Sequence, residues 1–340
     1  MKPMIIHHND ADGKLSATIV VHELLGMFPK DQITAVEYNY GWDIDWDGII
    51  GEEENGICYI VDVSMNDDIY KVINRLVAQG WQVIHIDHHK STIDYLTTRD
   101  AYPIEGIRSW YRTDLSATML VWVYSCMNEE ERKDPYSVEF DFASSWSHVM
   151  INPNDRTKAR EYRIPKGVFY VDDYDVWRHS DPISMSFHYG LMNSTKPNVV
   201  INKSDEFNSS LQSEVTIWED ILYATDRELW ERYVLPGQVV NNYRREEARK
   251  TLRRGFIKNI DGVDIFCVNS AGGTDMFGTT IEDYDACIAY WYDGQIDMWR
   301  YSVRSKASSD FDCADFSKKF GGGGHKHAAG FQTPMNIINE

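Results

Sequence analysis

Paired cysteines are missing from this chain. Cys58, Cys126, Cys267, Cys287 and Cys313 are scattered, with no Cys-x-x-Cys spacing. That pattern excludes a disulfide framework and a zinc finger, and it suits a reducing compartment. Long apolar runs are missing too. No stretch is long enough to span a bilayer, and no signal sequence precedes the first apolar run, so a cytoplasmic protein with no membrane partner is expected. Positive charge is scarce: 34 Lys and Arg stand against 53 Asp and Glu, for a formal net charge of -19. Such a chain does not coat long duplex nucleic acid by bulk attraction, although a local cationic or metal site can still bind anions. What is present is 340 residues, 43% of them hydrophobic, enough for two cores or one large one.

The most informative stretch is Trp81–Lys90, where the apolar run Val83–Ile86 leads into Asp87-His88-His89. The run reads as a buried strand, and polar groups at a strand's carboxyl end are where open α/β sheets place their chemistry. Asp and His are ligands for Mn²⁺, Zn²⁺ or Fe, or general acid–base groups. The same layout recurs upstream. Pro3–Ile6 precedes His8-Asn-Asp10-Ala-Asp12-Gly13. In extended geometry His8, Asp10 and Asp12 would share a face, with Gly13 allowing a sharp turn before a helix over 15–25. Ile57–Val61 is a strand ending at Asp62, and a helix over 68–79 follows, with Ile69, Val72, Ile73 and Leu76 on one stripe. Gly167–Val171 reads as a further strand, ending in Asp172-Asp173-Tyr-Asp175-Val-Trp177. Carboxylates that converge in this way repel one another unless a cation sits among them. The rhythm is that of a mainly parallel sheet.

Other signals are weaker. Asp43-Ile-Asp45-Trp-Asp47-Gly48 with Glu54 has calcium-loop spacing, but its flanks are strand-like where an EF-hand needs helices, so it reads as an acidic surface loop. Thr113–Thr118 looks like a helix start whose N–H groups could hold an anion, with ordinary capping as the plainer reading. The basic run Arg244–Arg254 is interspersed with Glu246 and Glu247 and reads as a solvated helix. His7 and His85 are expected to pack or face solvent.

Taken together, His8-Asn-Asp10-Ala-Asp12-Gly13, Asp62, Asp87-His88-His89 and Asp173-Tyr-Asp175-Val-Trp177 resemble the four motifs of the DHH phosphoesterase superfamily, of the RecJ-like and nanoRNase-like kind. The resemblance covers roughly the first 180 residues in separate pieces. It implies two divalent ions, Mn²⁺ in first place and Mg²⁺ or Co²⁺ as alternatives. His8 and Asp10 would hold one ion, Asp12, His88 and Asp173 the other, and Asp62 would bridge them. Asp87 and His89 would be the catalytic residues, Asp87 supporting the site and His89 meeting the substrate phosphate. The choice of Asp173 over Asp172 rests on the Asp-x-Asp-x-Trp spacing.

The C-terminal third reads as a small α/β domain. Helices are expected over 215–232, ending at Pro236, and over 239–252. Strands follow over 262–268, 286–292 and 295–303, the last two joined by a tight turn at Asp293-Gly294. Short helices are expected over 275–283 and 312–320. Then comes Gly321-Gly-Gly-Gly324-His325-Lys-His-Ala-Ala-Gly330. Glycines let backbone approach a ligand, and successive N–H groups can form an anion nest. This stretch, with Arg304 before it, resembles the DHHA1 domain. The resemblance implies that Arg304, Gly322, Gly323, Gly324 and His325 bind substrate.

The expected architecture is α/β: a mainly parallel-sheet DHH domain over 1–195, a helical linker over 196–258, and a smaller α/β DHHA1 domain over 259–340. The function implied is metal-dependent phosphodiester hydrolysis of short oligonucleotides or linear or cyclic dinucleotides to nucleoside monophosphates. Alternatives are 3′-phosphoadenosine phosphate phosphatase activity, a catalytically silent nucleotide-binding protein and an aminoacyl-tRNA editing hydrolase. The expected partners are a short oligonucleotide or dinucleotide and, for assembly, a second copy of the chain in a homodimer.

Overall fold

A computed structural model describes the chain except residues 53, 99–105, 135, 143–146, 155–156, 179, 195–216, 261, 272–275, 307 and 339–340. The chain divides into two compact units, Met1–Gln238 and Val239–Glu340. The expected boundary at 195–196 and the expected helix starts at Val215 and Asp275 lie outside the described residues.

The first unit is α/β. Strands β1 (Pro3–His8), β2 (Thr34–Tyr38), β3 (Ile57–Val61), β4 (Gln82–Asp87) and β5 (Ile107–Tyr111) form a parallel sheet in the order β2-β1-β3-β4-β5. Its strands are apolar on both faces because both are covered. Ile5, Tyr59, Ile84 and Ile86 pack in one cluster with residues of α1 (Ala11–Leu25), α5 (Ala117–Cys126) and α6 (Lys166–Asp175). Met4, Ile6, Cys58, Ile60 and Val83 pack in another with α2 (Trp46–Ile50), α3 (Asp67–Ala78) and Leu96 of α4 (Lys90–Thr98). The α3 stripe of Ile69, Val72, Ile73 and Leu76 is buried as its spacing predicts. Sheet order reverses beside β1, which leaves a crevice at the carboxyl ends of β1 and β3.

Three expectations fail here for identifiable reasons. Residues 167–171 are helix, not strand: α6 starts after Pro165, a residue suited to a helix's first turn, and is buried on every side from Gly167 to Asp173. A five-residue apolar run carries no readable period. Asp12 is helical, since α1 begins at Ala11 with Asp10 as its N-cap. Gly13 therefore sits in the first turn of α1, where a Cβ would come 2.3 Å from the His8 carbonyl oxygen. It permits close approach of helix to strand. The calcium-like loop folds into α2, with Asp45 capping the Gly48 N–H and Asp47 paired with Arg75.

An antiparallel ribbon of β6 (Val138–Asp141), β7 (His148–Ile151) and β8 (Arg160–Arg163) precedes α6. Helix α7 (Ser184–Ser194) follows it. Residues 217–223 form α8, and Asp226–Leu229 form α9. Trp218, Ile221, Leu229, Tyr233 and Val234, expected in a linker, are buried in the first unit's core. Pro236 does not end the helix. A π turn over Trp230–Val234 leads straight into α10 (Leu235–Leu252), which places Pro236 in the first turn of α10, where a proline without an N–H is tolerated. The basic run on α10 carries intrahelical pairs Arg249–Glu246 and Lys250–Glu247, as expected of a solvated face.

The second unit is a mixed sheet, β13-β14-β12-β11-β10-β9, built from β9 (Phe256–Ile260), β10 (Val263–Asn269), β11 (Ala286–Asp293), β12 (Met298–Arg304), β13 (Gly323–His325) and β14 (Ala328–Thr333). Helix α11 (Cys313–Lys318), capped by Asp312, packs Cys313 and Phe316 on one face of it. The expected 275–283 helix is a 3₁₀ segment, Gly278–Asp283. The β11–β12 turn is longer than the Asp293-Gly294 dipeptide predicts, with Asp297 at φ 55°.

Candidate metal centre

Three carboxyl ends of the parallel sheet supply the centre. His8 closes β1, Asp62 follows β3 and Asp87-His88-His89 close β4. Asp62 stands in the left-handed region at φ 58°. A non-glycine residue held there costs of order 1–3 kcal/mol and persists where surrounding structure imposes it, typically at functional sites.

Three overlapping trios have ligand atoms within 4.8 Å of one another: His8, Asp10 and Asp62; Asp62, His88 and His89; Asp12, His88 and Asp175. His8 Nδ1 lies 2.8 Å from the Asp10 carboxylate and 3.7 Å from that of Asp62. His88 Nε2 lies 3.3 Å from Asp62, 3.6 Å from Asp12 and 3.3 Å from Asp175. The expected residues His8, Asp10, Asp12, Asp62 and His88 therefore meet.

Asp173 does not join them. Its fully buried carboxylate accepts hydrogen bonds from the Ser180 N–H at 2.9 Å, the Asp181 N–H at 3.2 Å and the Ser184 hydroxyl at 2.6 Å. It fastens the turn after α6 to the start of α7, and Asp175 takes the place expected of it. The reason is the helix: neighbouring residues point about 100° apart rather than to opposite faces.

Asp87 and His89 form a supporting pair. Asp87, fully buried, lies 2.7 Å from His89 Nδ1 and accepts the Thr92 hydroxyl. Burial works to raise the Asp87 pKa, but His89 overrides it and holds the carboxyl well below its usual range. Burial works to lower the His89 pKa, but Asp87, with Asp10 and Asp12 adding to it, leaves that pKa raised. Thr92 was not singled out from the sequence; its place on the first turn of α4, five residues after Asp87, is the signal that could have found it. His7 and His85 are core residues. His85 bridges the Tyr111 hydroxyl and the Val63 carbonyl, and burial lowers its pKa, as it does for His7.

The charge balance is the test of whether a metal fits. Burial and the carboxylates of Asp10, Asp12 and Asp175 push the Asp62 pKa well above its ordinary value. Asp175 is pushed the same way by burial, Asp12 and Asp10. His88 does not offset them, because burial and His89 lower its pKa. Each pair of carboxylates 4 Å apart repels by about 4 kcal/mol at an effective dielectric of 20. Asp62 Oδ2 is buried with no hydrogen-bond donor among the described residues. Oxygen and imidazole donors without thiolate suit Mn²⁺, Mg²⁺ or Fe²⁺. These residues fit a divalent cation.

The start of α5 is capped within the protein, as the plainer reading expects, by the Ser116 hydroxyl and by acids of the chain. The Ala117 and Thr118 N–H groups donate to the two oxygens of Asp12 at 2.8 and 2.7 Å. Beside the centre, Asp10, Asp12, Asp175, Tyr170, Tyr174 and His188 line a cavity of about 100 Å³. The Tyr174 and His188 rings stack there, 3.6 Å between centroids.

In the second unit, a concavity of about 680 Å³ is lined by Arg300, Arg304, Gly321–Gly324 and neighbouring residues of β12 and β14. Arg304 is buried and donates to the carbonyls of Val303 and Ala329. A Cβ at Gly324 would meet the Ala328 carbonyl at 2.6 Å, so that glycine serves the β13–β14 pairing as well as the open surface. Gly322, Gly323 and Gly324 line the concavity, whereas His325 is outside its lining.

No family model matches the sequence, and no curated protein matches it. Among solved structures the chain is similar to the pGpG-specific phosphodiesterase PggH from Vibrio cholerae (12% identity over 97% of this chain and 93% of that chain, TM-score 0.47). It is also similar to an exopolyphosphatase-related protein from Bacteroides fragilis (14%, 99% and 88%, TM-score 0.47). A third is RecJ in complex with Mn²⁺ from Thermus thermophilus (13%, 97% and 49%, TM-score 0.44). No helix among the described residues is long and apolar enough to cross a membrane.

Proposed function

We propose that this chain is a DHH-type phosphoesterase that hydrolyses short oligonucleotides or linear or cyclic dinucleotides to nucleoside monophosphates. One observation carries the reading: the Asp/His trios overlap at Asp62 and His88, which suits two adjacent cations. His8 and Asp10 would hold one and Asp12, His88 and Asp175 the other, with Asp62 shared. Mn²⁺ is the expected ion, with Mg²⁺ or Co²⁺ able to replace it. Bound there, the cations supply Lewis acidity toward a phosphoryl oxygen and lower the pKa of a coordinated water.

The chain's own residues do the rest. Asp87 holds His89 by Nδ1, 2.7 Å away, so that Nε2, on the ring's other edge, would meet a phosphate oxygen. Raised toward its charged form by Asp87, His89 would bind that oxygen as a donor. The stacked Tyr174 and His188 form a wall beside Asp175 suited to a flat ring. In the second unit, Arg304 and the Gly322–Gly324 backbone would take the distal phosphate or base, with His325 near it. Several like-charged phosphates would not be drawn to an acidic surface without such local sites, which favours short substrates over long duplexes. The protein would act in the cytoplasm, alone or as a homodimer.

The test is a substrate panel of linear and cyclic dinucleotides, oligomers of graded length and 3′-phosphoadenosine phosphate, in Mn²⁺ and in chelator. Release of monophosphates that chelator abolishes is expected. Turnover of phosphoadenosine phosphate alone would move the assignment to that phosphatase, and binding without turnover would make the protein a nucleotide-binding one.

A further inference from the structure

The N–H of Ser116, the N-cap of α5, and the first two N–H groups of the helix are divided between two acids from different parts of the chain. Ser116 N–H donates to Asp172 Oδ1 at 2.7 Å. Ala117 and Thr118 N–H donate to Asp12, and the Thr118 hydroxyl donates to the Asp12 carbonyl at 2.8 Å. The other Asp172 oxygen accepts from Arg178 at 2.7 Å, and Arg178 also reaches the Asp114 carbonyl at 3.3 Å. Asp172 is fully buried and is absent from the ligand trios. One helical turn beyond it, on the same side of α6, is Asp175, 3.3 Å from His88.

Asp172 thus joins α6, which presents Asp175, to the end of α5 that clamps Asp12. Those two carboxylates share a trio with His88. Nothing comparable ties Asp172 to His8, Asp10 or Asp62 among the described contacts. We infer that Asp172 is a positioning residue for one cation position only, that of Asp12, His88 and Asp175, and that the position of His8, Asp10 and Asp62 is independent of it. This rests on the two-cation reading above.

Residues that orient ligands through hydrogen bonds typically carry about 10- to 100-fold of a metal's affinity. The experiment titrates metal-stripped full-length protein with Mn²⁺, followed by calorimetry and by electron paramagnetic resonance, which distinguishes a coupled pair of ions from single ones. Wild type should bind two ions as a coupled pair. Asp172→Ala should lose about 10- to 100-fold at one position and stay within about twofold at the other, with the pair signal replaced by that of a single ion. Amide exchange at Ala117 and Thr118 should quicken. Asp172→Asn, which keeps an acceptor for Ser116 and loses the charge facing Arg178, should show a smaller loss at the same position.

Two unaltered positions in Asp172→Ala would overturn the inference, as would parallel weakening of both with a lowered melting temperature. If the alanine variant does not fold, unchanged binding by Asp172→Asn overturns it alone. Wild type binding fewer than two ions would remove the two-cation reading and this inference with it, whereas two ions in wild type and no selective loss would remove this inference only.

Discussion

On the proposed function, the two units would handle phosphate in contrasting ways. The centre of the first is made of charged side chains at strand ends, crowded until Asp62 and Asp175 resist ionisation. The concavity of the second is lined by two arginines and a glycine run, in which a Cβ at Gly322 or Gly324 would strike the sheet's own backbone. The first is unstable as a set of charges without a cation. The second is complete as a hydrogen-bonded sheet edge. Chemistry should therefore reside in the first and substrate choice in the second.

The largest effect should come from breaking the shared ligand. Asp62→Asn should lower kcat by about 10³-fold or more in saturating Mn²⁺, read in a dinucleotide hydrolysis assay. The same variant should stabilise the metal-free protein. A carboxyl whose folded pKa is raised contributes stability below its unfolded value, here 3.8, and loses it as pH rises through the folded value. The melting temperature of Asp62→Asn should exceed that of wild type by roughly 2–4 °C at pH above that folded value. The gap should close as pH falls toward 3.8. A gap that is absent, or of opposite sign, would remove the crowding account.

Next in size is the pair on α6. Asp175→Asn should cost about 10²-fold in kcat and weaken Mn²⁺ binding. Asp173→Asn should instead lower stability by about 2 kcal/mol, the scale of a charged buried hydrogen bond, with turnover per folded molecule nearly unchanged. Denaturant titration beside activity separates the two, and the reverse result would restore Asp173 as ligand.

Arg304→Ala should raise KM for a dinucleotide by about 10-fold, one lost charge-assisted contact of about 1.5 kcal/mol, and leave Mn²⁺ affinity alone. A fall in kcat with KM unchanged would erase the division of labour between the units. The smallest effect should be that of Thr92→Val, which removes a hydroxyl from Asp87 and should slow turnover by a few-fold up to about 10-fold, with His89 nuclear magnetic resonance shifts reporting the loosened pair.

Much of this was legible in the chain. His8, Asp62 and His88 are visible because each lies at the end of a short apolar run that reads as a covered strand, a reading that fails for the similar run 167–171. The α3 stripe is visible because one of its faces is wet. The glycine run is visible because four glycines between a helix and a strand have few other uses. Which acid of α6 joins Asp12 and His88 was not legible. Asp172, Asp173 and Asp175 are chemically alike, and an all-buried helix hides its period, so strand and helix readings place different acids in the site.

Composition and local pattern alone determined that acids and imidazoles end parallel strands, because alternation and burial are written residue by residue. Which acids meet was decided by tertiary structure. The N–H groups that claim Asp172 and Asp173 belong to Ser116 and Ser180, while Asp12, held by the Ala117 and Thr118 N–H groups, still lies 3.6 Å from His88; only the packing of α5, α6 and α7 determines which carboxylates are drawn away and which face His88.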